Sequence, residues 1–565
     1  MSNSLKSTTK KRKRQLGAKP SNRTNDEDIT DISSNEEVNS SEDELNMDDN
    51  NEAEIDSDEE FETENAADKR RRLAKQYLEN LKTEANDIME SSENTLTREN
   101  QSIEVDNYNN FDAKDLDRDI IASRLKNDVA EQHGRVYRWI SDKLLLSEAK
   151  TSFTRVGEKN LTSISCYQPG INKFSDSIAQ NKNKAKIFAY TVSKDMQLTK
   201  YDVTDFAARP KRLKYTRGSR NYYKSGQHEY ENTTEGHYDE ILTVSASPDG
   251  KYVVTGGRDR KLIVWSTESL TPVKVIPTKD RKGEVLALAY RKNSDQLYAA
   301  CADYKIRTYA INQFAQLEVL YGHQDLVVDL SALNMERCVT VGSRDRSAIL
   351  WKIADETRLT FRGGDDPEKL LRKWLKENVD QEKEQPVFCG EGSIDCVTMV
   401  DDSHFITGSD NGNIALWSLS RKKPIFIYRA AHGIIPLPKE NKISAESDTS
   451  LCAEQLQGTK LMKPYWITSL YAIPYSNVFF SGSWNGSLKV WALSENMRDF
   501  KLISELQNCK GLVTKIQVVE AGKHQKETFR VLASVSKEHR LGRWVDEIPN
   551  ARNGIYSAVI EQSTF

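Results

Sequence analysis

From about residue 150 onward, short apolar runs alternate with polar turns, and one arrangement recurs. Its clearest copy is Thr255-Gly256-Gly257-Arg258-Asp259-Arg260-Lys261-Leu262-Ile263-Val264-Trp265. An apolar run ends in small residues, a tight turn carries an Asp, and a second apolar run ends in Trp. Such runs are too short for helices and read as paired strands. Six positions before each closing aromatic stands the polar turn residue: Asp195 before Tyr201, Asp259 before Trp265, Asp303 before Tyr309 and Asp345 before Trp351. Asn411 precedes Trp417 in the same way, Asn485 precedes Trp491, and Glu538 precedes Trp544.

These seven copies recur every 42 to 74 residues. A period in the low forties with this ending predicts a β-propeller of the WD40 kind, an all-β fold of seven blades. A lone four-stranded blade leaves apolar faces in water, so blades stack around an axis. In this reading the aromatics Trp265 and Trp351 pack between neighbouring blades. Asp195, Asp259, Asp303 and Asp345 anchor the turns, and His237 and His323, each after a Gly, join them in a buried polar network. The ring starts near Phe153, Leu161 to Tyr167 forms a strand, and Ser247-Pro248-Asp249-Gly250 makes a turn. Gly554 to Ile560 is predicted as a last strand that pairs with an N-terminal one. That pairing closes the ring and removes exposed sheet edges.

Upstream, the periodicity changes to that of helices. Leu73, Tyr77, Leu81, Ala85 and Ile88 form one stripe over 66–88. Further helices are expected over 112–132 and 136–146. Residues 1–65 lack the aliphatic content to fold alone and are expected to be disordered. The predicted organisation is therefore a tail, 1–65, a helical extension, 66–148, and the propeller, 149–565, with polar insertions near 362–386 and 433–463.

Charge sharpens this division. Residues 1–25 hold eight basic and no acidic side chains, and residues 26–64 hold 19 acidic and no basic ones. The net charge of −4 thus conceals a positive propeller region. Lys10, Lys11, Arg12, Lys13 and Arg14 form a compact run of the kind that serves nuclear import. Ser33, Ser34, Ser41 and Ser57 stand before carboxylates, as acid-directed kinases require. Seven dispersed cysteines without a CxxC pair suit reduced, buried thiols. The polar, basic start does not read as a secretory leader, and the absence of an apolar run near ~20 residues argues against a membrane helix.

Catalytic patterns are missing: the chain has no P-loop, no GxSxG, no HExxH and no clustered metal ligands. The expectation is a non-enzyme with no cofactor, no metal and no small-molecule substrate, whose surface carries the function. The residue before each turn Asp or its equivalent should point to one end of the ring. Those residues are Lys194, Arg258, Ala302, Arg344, Asp410, Trp484 and Lys537, and neighbouring places add Arg260, Lys261, Tyr304, Lys305, Arg346 and Arg540. A further stretch mixes Arg209, Lys211, Arg212, Lys214, Arg217, Arg220 and Lys224 with Tyr215, Tyr222 and Tyr223, and is expected as a loop at the same end. Cations beside rings suit phosphates and unpaired bases. An Arg next to an Asp also makes surface ion pairs of little consequence, so the basic face by itself leaves both readings open.

The basic start, the acidic tract, the run Ala67-Asp68-Lys69-Arg70-Arg71-Arg72-Leu73-Ala74-Lys75-Gln76-Tyr77-Leu78 and the seven repeats together resemble the WD40 proteins specific to the U3 small nucleolar ribonucleoprotein, in a fungal form. This resemblance spans nearly the whole chain. It implies a nucleolar component that binds the box B/C element of U3 small nucleolar RNA, with a small kink-turn-binding protein. It also implies other small-subunit processome proteins as partners, and support of early pre-ribosomal RNA cleavages. Asn411, Asn485 and Glu538 in place of Asp, and the missing Gly-His pair of the first repeat, depart from the repeat pattern. The alternative is a protein-only nuclear scaffold or adaptor that reads peptides at the centre of the ring.

Overall fold

The computed structural model describes residues 137–157, 159–167, 186–219, 236–277, 283–363, 392–435, 463–523, 526–545 and 550–563, with isolated positions between them. The described strands form seven four-stranded antiparallel sheets. In six of them the strands run in chain order outward from the axis; blade two, for example, is Ile241–Ala246, Tyr252–Gly257, Lys261–Ser266 and Pro272–Pro277. Each innermost strand packs against the innermost strand of the next blade, and the last meets the first, so the ring is closed.

Burial follows distance from the axis. The middle strands face neighbouring blades on both sides and are apolar almost throughout, as in Lys261–Ser266, where all but the last residue are buried. Outer strands are wet: Lys211–Arg217 is exposed at every position but Thr216. The closing aromatics of blades two, four and five pack on the preceding blade. Trp265 lies with Tyr190 and Val192 of blade one, Trp351 with Tyr298 and Ile306 of blade three, and Trp417 with Val339 and Leu350 of blade four. Phe361 of blade four meets the Trp417 ring edge-on at 6.2 Å. Close stacking also explains the small residues before the turn, since a Cβ on Gly256 would meet Val285 Cγ1 of blade three at 2.4 Å. Polar stitches cross the inner strands as well: Ser165 Oγ accepts from Ala246 N at 3.0 Å, and Thr398 Oγ1 from Ala472 N at 3.0 Å.

The seventh blade combines both ends of the described chain. Leu512–Lys523, Lys526–Ser536 and Gly554–Glu561 are completed by Lys150–Arg155 as the outer strand, with Phe153 opposite Tyr556. This corrects the seventh repeat read from the sequence. Trp544 lies in no strand and is 81% exposed, so the repeat does not end there. The third strand is Gly554–Glu561, and Ser557 stands where the aromatic stands in other blades, accepting from Arg530 Nε at 3.0 Å. Arg530, 1% exposed, donates also to the carbonyls of Val203, Asp205 and Ala208 in blade one, which satisfies a buried guanidinium and pins the closing seam.

The helix expected over 136–146 is not formed in its described part. Residues 137–146 are extended apart from one 3-10 turn, Ser141–Lys143, with bridges from Arg138 to Ser476 and from Leu144 to Gln562. Arg138 reaches Glu520 at 3.0 Å and Glu527 at 2.8 Å, and Asn477 Oδ1 accepts from the amides of Ile140 and Ser141. Blades six and seven supply backbone partners in place of a helix: Arg138 N donates to the Tyr475 carbonyl, Leu145 N to the Glu561 carbonyl, and the Lys143 carbonyl accepts from Ser563 N. The helices expected over 66–88 and 112–132 lie outside the described residues.

Candidate nucleic-acid interface

The turns between second and third strands, and the links between blades, emerge at one end of the ring, because every blade repeats the same antiparallel order. A shared polar network holds these turns. In blade two His237 Nδ1 lies 2.8 Å from Asp259, and its Nε2 lies 2.7 Å from Thr255 Oγ1, which also accepts from Trp265 Nε1 at 2.7 Å. Blade four repeats this with His323, Asp345, Thr340 and Trp351. Blade six does so with a histidine that the sequence pattern missed. His432 follows Ala431 rather than Gly and precedes the long insertion, yet it meets Asn485 at 3.0 Å and Ser481 at 2.7 Å, and Trp491 donates to the same serine. The signal that could have found it is the distance to the turn along the fold, not along the chain. Blade three has no such histidine among its described residues; there the buried Arg307 pairs with Asp303 at 3.1 Å. In blade one Asp195 accepts from Ser193 Oγ.

In blades one to six the residue after the anchoring position adopts a left-handed backbone: Met196 at φ 61°, Arg260 at 58°, Tyr304 at 68° and Arg346 at 52°, with Gly412 and Gly486 in blades five and six. This common turn projects its flanking side chains outward, but not all of them reach solvent. Arg344 and Arg346 are exposed and make no ion pair among the described residues, and Lys537 is exposed. Tyr304 is 37% exposed. Arg258, half-exposed, lies 3.1 Å from Glu240 and 3.7 Å from Glu284. Lys305 sits 4.0 Å from Asp303 and 5.4 Å from the ring of Tyr321, and Arg260 is half-buried.

Four expected face residues point elsewhere. Lys261 is buried with its ammonium 5.1 Å from the Tyr238 ring. Trp484 is buried against Trp466 at 5.2 Å and Tyr465 at 5.7 Å. Lys194 turns inward to the carbonyl of His539 at 3.2 Å. Arg540 enters the central channel, where it donates to the carbonyls of Leu286 and Val328, both at 2.7 Å. The expected basic loop is, in its described part, the outer strand of blade one. Arg212, Lys214 and Tyr215 line the side of the ring, with Arg212 5.4 Å from the Tyr215 ring, and only Arg217, 4.0 Å from Asp195, approaches the turn end. Arg220, Tyr222, Tyr223 and Lys224 lie outside the described residues, as do Lys10, Lys11, Arg12, Lys13 and Arg14.

The segment that follows Lys537 closes the channel at the turn end. Leu541 packs with Leu242, Leu286 and Ala302. Arg543 reaches Asp395 at 2.6 Å and Ser343 Oγ at 2.6 Å. Burial drives the His539 imidazole down to about 3, and Arg540, Arg543 and Lys194 push it the same way. Below this plug, Lys515 pairs with Asp329 at 2.9 Å, and a cavity of about 380 Å³ opens toward the other end. Among the described residues no group of His, Cys, Asp and Glu is arranged to hold a metal ion.

The model of the WD domain, G-beta repeat, matches residues 229–266, 383–418 and 456–492. Ribosomal RNA-processing protein 9 of Saccharomyces cerevisiae is 67% identical to the chain, over 98% of the chain and 99% of that protein. U3 small nucleolar RNA-interacting protein 2 of Homo sapiens is 26% identical over 87% of the chain and 82% of its own length. The solved structure of U3-55K superposes with a TM-score of 0.52 at 25% identity, covering 72% of the chain and 98% of that structure. A seven-bladed ring of this kind and a likeness that runs end to end place the chain in the family of the WD40 proteins associated with the U3 small nucleolar ribonucleoprotein, to which ribosomal RNA-processing protein 9 belongs.

Proposed function

We propose that the chain is a non-catalytic component of the U3 small nucleolar ribonucleoprotein. It binds the box B/C region of U3 small nucleolar RNA together with a small kink-turn-binding protein, works in the nucleolus within the small-subunit processome, and supports early pre-ribosomal RNA processing. The observation that carries this reading is a closed channel beside free cations. Arg540 and Arg543 fill the central opening that a peptide-reading adaptor would use, while Arg344, Arg346 and Lys537 stand exposed around it. Exposed guanidinium groups meeting phosphates release counterions and fix a nucleic acid without an apolar groove.

Ultraviolet crosslinking from cells, followed by sequencing of the recovered RNA, tests the reading. U3 RNA should dominate the reads, with its box B/C region enriched. Recovery of no dominant RNA, with partner proteins still captured, would instead favour the protein-only scaffold. In vitro, replacing Arg258, Arg344 and Lys537 together by Ala should weaken RNA binding and flatten its dependence on salt.

A further inference from the structure

We infer that Trp544 is a stacking platform for an unpaired base of the bound RNA. The inference rests on the RNA-binding reading above and goes beyond it by naming a contact of a different kind.

Trp544 is the most exposed large apolar side chain among the described residues, at 81%. An indole in water is ordinary where the chain is untethered, but the residues just before this one are anchored. Leu541 sits in an apolar cluster, Arg540 donates to two buried carbonyls, and the adjacent Arg543 grips Asp395 and Ser343. The backbone leading to Trp544 is therefore tied down while the ring itself touches solvent. An indole has few rotatable bonds to order on binding, and here the backbone before it is already held.

The surroundings indicate what the ring would meet. Arg543 touches the hydroxyl of Ser343, and the next residue is Arg344, exposed and without an ion pair among the described residues. Arg346, across the same turn, is likewise exposed and unpaired there. An exposed aromatic on a segment tied through Arg543 and Ser343 to a turn with two exposed arginines suits a nucleotide, whose base stacks while its phosphate pairs. Stacking explains as well why an aromatic stands on this loop when the blade does not use it: Ser557, not Trp544, occupies the place between blades seven and one.

The test compares the full chain with Trp544→Ala, Trp544→Phe and the double variant Arg344→Ala/Arg346→Ala, measuring binding to a transcript of U3 RNA at several salt concentrations. Melting temperatures confirm folding, which an exposed side chain should leave intact. Trp544→Ala should weaken binding roughly tenfold or more with an unchanged salt slope, because stacking displaces no counterions. Trp544→Phe should recover most of the loss, and the double arginine variant should reduce the slope. Undiminished binding by Trp544→Ala beside weakened binding by the arginine variant would overturn the stacking role and leave the basic face standing. Undiminished binding by both would remove the basic face as well. If Trp544→Ala binds RNA normally but no longer captures a protein partner, the indole is a protein contact and the inference fails.

Discussion

His432 and Asn485 stand 53 positions apart, on either side of a long insertion, yet the imidazole Nδ1 lies 3.0 Å from the amide oxygen. The histidine thus belongs to blade six, whose Trp491 shares its serine partner.

Burial lowers the His432 imidazole to about 4, with Lys489 opposing protonation too, and His539 is lowered further. Both groups bind protons more tightly in the unfolded chain, near pH 6.5. Their contribution to stability is present above that value and is lost as pH falls toward 4, by up to about 1.4 kcal/mol per pH unit for each. The melting temperature should fall between pH 7 and pH 5. His432→Leu should be less stable at pH 7 but show a shallower decline; an equally steep decline would assign the effect to other groups.

Arg543→Ala leaves Asp395, 6% exposed, without its guanidinium partner. Removing one member of such a pair costs roughly 3–5 kcal/mol. Urea denaturation should show this loss, and adding Asp395→Asn should recover much of it. Failure of the double variant to recover would mean that packing of the plug, rather than charge, carries the stability.

Arg530→Met removes the donor that serves three carbonyls of blade one and the hydroxyl of Ser557. The buried Val203 carbonyl would lose its partner at a cost of about 1–3 kcal/mol, while those of the exposed Asp205 and Ala208 can turn to water. The variant should melt earlier, and limited proteolysis should cut first at the seam between blades seven and one. Cleavage first at another blade would argue that the seam is held chiefly by the outer strand Lys150–Arg155.

Arg346→Gly relieves a left-handed backbone at φ 52°. Thermal unfolding should show a gain of about 1 kcal/mol. The same variant should bind RNA more weakly, since it deletes an exposed cation. A gain in stability with no loss of affinity would remove Arg346 from the interface.

Trp417→Phe keeps the stacked ring against Phe405 but removes the donor to Thr407 at 2.8 Å. The cost should be about 1–3 kcal/mol, against roughly 3–5 kcal/mol for Trp417→Ala. Near-equal losses in chemical denaturation would show that the hydrogen bond, not the packing, dominates.

Local pattern alone determined much of this protein. The recurring small-residue, Asp-turn, aromatic phrase marked blades one to six, because each of those repeats carries its own strand pairing and turn chemistry within a few residues; its seventh copy, ending at Trp544, was misplaced, and the closing strand was legible instead from the apolar run Gly554 to Ile560. His237 and His323 were legible for the same reason, lying next to a Gly at the entrance to their blades. The three-dimensional fold settled whatever depends on contacts between distant segments. It moved Trp544 from a supposed core position to the surface, placed Arg540 in the channel, buried Lys261 and Trp484, turned Lys194 inward, and made the Tyr215 stretch an outer strand. A side chain's exposure is set by what the rest of the fold brings against it, and a turn's sequence does not contain that information.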